Sequence, residues 1–278
     1  MSATKDKKWT DDSIRWPEDQ DKNKENEEEE EEEEGPMDIF KDPDPTESFH
    51  FKFEVDKLET VEIELDGYKA ESDEIWQSTG LTIWKASEYL CHYIVKHKDD
   101  EAMDLSMKKS TAKDKRRVLE LGAGLGLVGI LAHRIASPQC EVILTDGDSE
   151  ALPHLRENVD ENKDEQKGQV LCQQLIWGEE TSLEFLELQK KEKFDVILAS
   201  DIVYSPVIIK PLWETIQILL EPNGTFLMAY AKRQVPVEIG DVLSAATEAG
   251  FVYQECKESD HEKGVFVYTF QWNGIQKE

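Results

Sequence analysis

A strand that runs straight into a glycine-rich turn and then into an apolar helix constrains this chain more than any other feature. It is the stretch Arg117-Val-Leu-Glu-Leu-Gly-Ala-Gly-Leu-Gly-Leu-Val-Gly-Ile-Leu-Ala132. Gly122, Gly124 and Gly126 lack a Cβ, so the backbone can take positive φ angles and a ligand can approach the main chain. A helix starting near Leu127 points its free N–H groups at whatever lies over the turn. The pattern reads as a nucleotide-cofactor cradle. Glycines in a strand-to-helix turn can also serve close packing alone, so the surrounding residues decide. Glu120 precedes the first glycine. Val142-Ile-Leu-Thr-Asp146 is a second strand ending in an acid, and Phe194-Asp-Val-Ile-Leu-Ala-Ser-Asp201 is a later strand ending the same way.

From Val118 the chain alternates strand and helix, through strands at 118–121, 141–145, 169–176, 195–200 and 225–231, with helices at 127–136, 150–162, 182–190, 208–220 and 237–249. Repeated units of this kind give a doubly wound, Rossmann-like parallel sheet covered on both faces. Two further strands, 252–256 and 265–271, have no helix between them and predict an antiparallel edge hairpin. Pro222-Asn223-Gly224 is read as the turn that ends the helix before the fifth strand. Ahead of this core, Phe49, Phe51, Phe53 and Val55 alternate with polar residues, as do Val61, Ile63 and Leu65. Period two over both runs predicts an N-terminal hairpin turning near Asp56-Lys57. A helix follows, with Ala86, Leu90 and Ile94 on one face. Residues 1–47 read as a disordered acidic tail, 48–95 as the accessory hairpin and helix, 96–116 as a flexible charged linker and 117–274 as the core.

The 61 acidic residues against 32 basic ones, a net charge of −29, oppose the attraction that supplies most nucleic-acid binding. A basic protein or a small molecule is the expected partner. The run Glu27 to Glu34 cannot bury enough apolar area to offset its ordering entropy. Trp9 and Trp16 flank an acidic stretch there. Cys91, Cys140, Cys172 and Cys256 are widely spaced and form no metal-ligand pattern, so no metal is expected. No apolar run approaches the ~20 residues of a membrane helix, and a soluble monomer of the cytoplasm and nucleus is expected.

In an open α/β sheet the ligand lies beyond the carboxyl ends of the strands, where strand order reverses. Gly122 to Gly126, Asp146 and Asp201 all follow such ends. Asp146, 20 residues beyond Gly126, stands where an acid accepts hydrogen bonds from ribose hydroxyls. The alternative is an acid that starts the next helix. Trp177 either borders an adenine ring or packs in the core, and Gly80 and Trp84 line the cofactor pocket unless Trp84 simply packs in the core.

The segments Leu119-Glu-Leu-Gly-Ala-Gly-Leu-Gly126, Gly80-Leu-Thr-Ile-Trp84 and Ser200-Asp-Ile-Val-Tyr204, with the acid after the second strand, resemble the class I, seven-β-strand methyltransferases. More narrowly they resemble the family 16 protein methyltransferases, over roughly Phe49 to Trp272. The resemblance implies S-adenosyl-L-methionine as cofactor, contacted by Gly122, Gly124, Asp146, Trp84 and the Trp177 region. Glu120, Gly126 and Ser200 complete the expected cofactor set. Asp201 and Tyr204 are expected at the substrate-facing edge as the catalytic pair. The acceptor implied is a protein side chain, lysine first, with arginine or a small molecule as alternatives and a chaperone or translation-related protein as partner. A cofactor-binding module without turnover is the non-enzymatic alternative. A nicotinamide dehydrogenase lacks support, because there is no clear catalytic Tyr-x-x-x-Lys pair and Glu120 before the glycines fits the methyltransferase pattern better. DNA and glutamine methylation lose it because Ile202 and Val203 replace the prolines of an Asp-Pro-Pro-Tyr motif.

Overall fold

The computed structural model describes residues 44–108 and 114–274. Most of the expected acidic tail, with Trp9, Trp16 and the glutamate run, lies outside them. The first strand already starts at Thr46, inside the expected tail.

The elements are β1 (Thr46–Glu54), β2 (Thr60–Tyr68), α1 (Glu74–Gln77), α2 (Lys85–His97), β3 (Arg116–Leu121), α3 (Leu127–Ile135), β4 (Cys140–Asp146), α4 (Ala151–Asn162) and β5 (Val170–Gln174). They continue with α5 (Glu179–Leu188), β6 (Phe194–Ser200), α6 (Ile209–Leu219), β7 (Leu220–Ala231), α7 (Ile239–Glu248), β8 (Phe251–Glu255) and β9 (Val265–Trp272). Strands β3, β4 and β6 are buried almost end to end, as continuous apolar runs must be when helices cover both faces of a parallel sheet. The seven-stranded sheet runs β5-β4-β3-β6-β7-β9-β8. Its first five members are parallel, and β9 lies antiparallel to both β7 and β8. The expected doubly wound sheet and edge hairpin are both present. Order reverses between β3 and β6, which puts the crevice beside the glycine turn.

Helix α3 is apolar nearly all round, because it lies between the sheet and an outer layer. That layer includes the hairpin β1–β2, a separate two-stranded sheet in the register Phe49↔Leu65, Phe51↔Ile63 and Phe53↔Val61. Asp56 forms its turn, accepting the Leu58 and Glu59 N–H groups at 2.8 and 3.0 Å. Two asparagines on α4 dock the hairpin. Asn162 accepts from Glu64 N at 3.2 Å and donates to Glu64 O at 2.7 Å, while Asn158 accepts from Asp66 N at 2.9 Å and donates to Asp66 O at 3.1 Å. Side-chain amides thus stand in for a neighbouring strand, satisfying backbone groups that burial would otherwise leave unpaired.

Two expectations need correction. The segment 96–116 is not a flexible linker over its described part: α2 runs on to His97, and Met103 and Leu105 are fully buried in the core. Leu105 N bonds Lys98 O at 2.8 Å, and Leu105 O takes Ser137 N at 2.9 Å. Charge-rich surroundings masked two core residues. Pro222-Asn223-Gly224 does not precede the fifth strand of the core but lies inside β7 as an irregularity. The ladder steps from Phe194↔Leu220 directly to Val196↔Thr225, so the extra residues bulge out of the sheet.

At the amino ends of the parallel strands, Arg117 is buried and fully engaged. Its Nε donates to Glu141 at 2.6 Å and its Nη2 to Gln189 at 2.8 Å, its Nη1 bonds the Glu192 carbonyl, and its carbon lies 4.4 Å from the Phe194 ring centroid. Its backbone N–H donates to Asp195 at 2.8 Å.

Candidate functional site

The glycine turn is shaped by close approaches that only glycine permits. Gly124, at φ 53°, donates its N–H to Asp146 Oδ2 at 2.9 Å, and a Cβ there would stand 3.0 Å from the Gly80 carbonyl. The loop 79–82 can therefore lie directly against the turn. Gly126, at φ 94°, caps α3, and a Cβ there would sit 2.7 Å from Leu155 Cδ1. Gly126 does not line the cavity described below. It shapes the helix start instead of meeting a ligand.

Beyond the carboxyl ends of β3, β4 and β6 lies a cavity of about 440 Å³, within the size range of small-molecule sites. Nine of the expected site residues line it: Trp84, Glu120, Gly122, Gly124, Asp146, Trp177, Ser200, Asp201 and Tyr204. Gly80, also expected at the pocket, lines it as well, whereas sequence reading missed Asp148, Ile202 and the neighbours of Gly80 in the loop, Thr79, Thr82 and Ile83. Tyr204 stands at the mouth, 45% exposed. Among the described residues the lining holds four carboxylates, Glu120, Asp146, Asp148 and Asp201, and no lysine or arginine.

Glu120 and Asp201, which are buried, and the half-buried Asp146 each have a distinct attachment. Glu120 accepts from Gly129 N at 2.8 Å, tying the strand to the first turn of α3. Burial pushes its carboxyl up to about 8, against the opposing Gly129 hydrogen bond and with help from the Asp146 charge. Asp146 accepts from Gly124 N and, at 3.0 Å, from Asp148 N. Burial raises its pKa despite those bonds. Each carboxylate oxygen has a second lone pair, so Asp146 keeps acceptor capacity for a diol.

Asp201 differs from the expectation of a free, substrate-holding carboxylate. Its Oδ2 takes the Ala86 N–H at 3.1 Å and its Oδ1 the Ala231 N–H at 2.9 Å. The helix α2 has no side-chain cap of its own, because Trp84 occupies the N-cap position. Asp201 supplies that cap from 115 residues away, where a helix N-terminus favours negative charge. Burial raises its pKa, and Arg233 opposes the rise. Arg233 was also missed. It lies just past β7, with its guanidinium carbon 4.5 Å from the Trp84 ring centroid. Its Nη2 donates to the Asp201 carbonyl at 2.7 Å.

A cavity whose charged lining residues, among those described, are all acids suits a cation and repels a polyphosphate, which separates a sulfonium cofactor from a dinucleotide. S-Adenosyl-L-methionine fits this donor set. Asp146 offers acceptors for ribose hydroxyls, Trp177 and Ile176 give a flat apolar wall, and Asp201 supplies negative potential at the strand ends, which Glu120 joins when a cation draws off its proton. The Gly124 cradle, which a Cβ would fill, leaves room for a ligand against the main chain.

A family described as lysine methyltransferase matches residues 67–239 of this chain. Among curated relatives, protein-lysine N-methyltransferase EFM6 of Saccharomyces cerevisiae is 34% identical over 166 residues, covering 56% of this chain and 65% of the relative. Protein N-lysine methyltransferase METTL21A of Danio rerio is 33% identical over 174 residues, covering 61% and 70%. EEF1A lysine methyltransferase 3 of Xenopus tropicalis is 31% identical over 153 residues, covering 55% and 58%. The chain spans a little under two thirds of the yeast relative's length.

Proposed function

This chain belongs to the lysine methyltransferase family, and from that premise we propose that it transfers a methyl group from S-adenosyl-L-methionine to a lysine side chain of a protein. The observation that carries the reading is the cavity over the glycine turn, whose charged lining residues, among those described, are all acids. The cofactor, when bound, supplies an electrophilic methyl group on a sulfonium. Asp146 holds the ribose, Gly122 and Gly124 admit the main-chain approach, and Trp84, Trp177 and Ser200 close the walls.

Transfer of this kind is an in-line displacement, so the protein's task is chiefly to place a neutral amine. The carboxylates attract the lysine ammonium, while apolar neighbours such as Ile202 and the Trp84 ring favour its neutral form. Asp201 is not the base. Its two oxygens are engaged by Ala86 and Ala231, and its role is to fix the backbone that leads to Tyr204. Tyr204, at the exposed mouth, guides the side chain inward, and the proton leaves to solvent there. Asp201 and Tyr204 thus form the substrate side by position, with Asp201 acting through the backbone.

The protein substrate is proposed to be translation-related, following the EEF1A named for the frog relative, and the enzyme to work as a monomer in the cytoplasm and nucleus. No helix among the described residues is long and apolar enough to cross a membrane. Labelled methyl transfer from S-adenosyl-L-methionine into a cell lysate, followed by hydrolysis of labelled bands, tests the reading. Methyllysine in a discrete protein band, lost with Asp146→Ala, is expected. Methylarginine, or label confined to small molecules, overturns the acceptor assignment.

A further inference from the structure

Among the described residues, Arg233 is the one basic side chain bonded to a residue of the cavity wall whose role the proposed chemistry leaves unassigned. It does not itself line the cavity. Its guanidinium faces the Trp84 ring at 4.5 Å, and its Nη2 bonds the Asp201 carbonyl at 2.7 Å and stands 3.4 Å from Asp201 Oδ1. Trp84 and Asp201 both reach the cavity, and they come from different elements, the entry to α2 and the exit of β6.

The backbone at Asp201 needs such holding. Its φ is 54°, a left-handed conformation that a non-glycine residue keeps only where the surroundings over-determine it. Ala86 N, Ala231 N and Arg233 supply three attachments, and Asp201 N adds a fourth by donating to Ala229 O at 2.9 Å. Arg233 alone also reaches Trp84. A guanidinium can do both at once, because its flat face stacks on an aromatic ring while its in-plane N–H groups donate; an ammonium has no such face.

We propose that Arg233 is a positioning residue, which clamps Trp84 to Asp201 and so sets the geometry of the cavity's acceptor end, where methyl group and amine must meet. The proposal rests on the methyl-transfer reading for what is positioned, but not for the clamp itself.

Calorimetric titration of the full chain with S-adenosylhomocysteine tests it, using Arg233→Ala, Arg233→Lys, Trp84→Ala and the double variant Trp84→Ala/Arg233→Ala. Arg233→Ala should weaken binding about tenfold, the order expected when a wall residue is released from its productive position. Arg233→Lys should weaken it nearly as much although the charge is kept. In the Trp84→Ala background Arg233→Ala should add less than about twofold, since contacting residues are non-additive. Wild-type binding by Arg233→Lys, or additive effects in the cycle, would overturn the clamp. Amide exchange at Ala86 provides a readout without ligand: it should speed up in both Arg233 variants while Val118 in β3 is unaffected. Unchanged exchange at Ala86 also overturns the proposal. If the unmodified protein fails to bind S-adenosylhomocysteine, the cofactor reading fails, and the exchange measurement still decides the clamp. If Arg233→Ala does not fold, Arg233→Lys carries both readouts.

Discussion

The two ends of the central sheet handle buried charge in opposite ways. At the amino ends of the parallel strands, Arg117 meets Glu141, Gln189 and the Glu192 carbonyl, and Lys115 adds a second cation 2.9 Å from Glu141. Burial alone would raise the Glu141 pKa, but the Lys115 and Arg117 hydrogen bonds outweigh it and the group lies below its usual range. At the carboxyl ends, burial wins: Glu120, Asp146 and Asp201 are all raised. Only Asp201 has a cation beside it, and that cation is divided between Asp201 and Trp84. The difference teaches that the first end is scaffold, complete in itself, and the second is built to be completed by a positively charged ligand.

Breaking the scaffold end should have the largest effect. Arg117→Ala leaves Glu141 short of its buried partner and removes the donors to Gln189 and Glu192, for a loss of roughly 3–5 kcal/mol. Thermal unfolding checks this, and whatever fraction stays folded should bind cofactor normally. A weakened cofactor with unchanged stability would erase the distinction between the two ends. At the ligand end the order reverses: Asp146→Ala should cost cofactor affinity by roughly 1.5–3 kcal/mol, the worth of hydrogen bonds to a charged group. Its stability should hold or rise, because a raised pKa marks a carboxylate whose ionisation the fold disfavours. Calorimetry and thermal unfolding of the one variant give both numbers.

Much of this contrast was legible in the sequence, because it depends on order along strands. Val118 to Leu121 and Phe194 to Ser200 are apolar runs with a charged residue at or near each end, so the alternation of elements assigned the ends before any coordinates. The cavity residues Gly122, Gly124 and Asp146 followed from the same logic. What escaped reading depends on contacts far apart in the chain. The Asp201 carboxylate caps a helix 115 residues earlier, and no local spacing announces a cap of that kind. Arg233 stands in a polar loop, where a guanidinium with a buried function resembles any surface charge. Asn158 and Asn162 read as ordinary polar positions on α4, and only the docked hairpin reveals them as partners of Asp66 and Glu64. Met103 and Leu105 were lost among lysines and aspartates, where a single turn of core contact leaves no periodic signal.

The smaller effects concern pH, and the two ends should again differ in sign. Glu141 has a lowered pKa, so its contribution to stability is present above its unfolded value and is lost as pH falls through the folded one. Glu120 is raised from 4.5 to about 8, so the folded state binds a proton that the unfolded chain has released. Stability therefore declines as pH rises from the unfolded value towards about 8.

The central claim, that the carboxyl-end acids wait for a cation, is tested most directly by counting protons. The measurement is calorimetric binding of S-adenosyl-L-methionine near pH 7 in buffers of different ionisation enthalpy, with Glu120→Gln alongside. A cation in the cavity favours the ionised Glu120, so the unmodified protein should release part of a proton on binding, and its affinity should rise with pH towards about 8. Glu120→Gln should release less and lose that rise. Binding without proton release, or the same release from Glu120→Gln, would contradict the account.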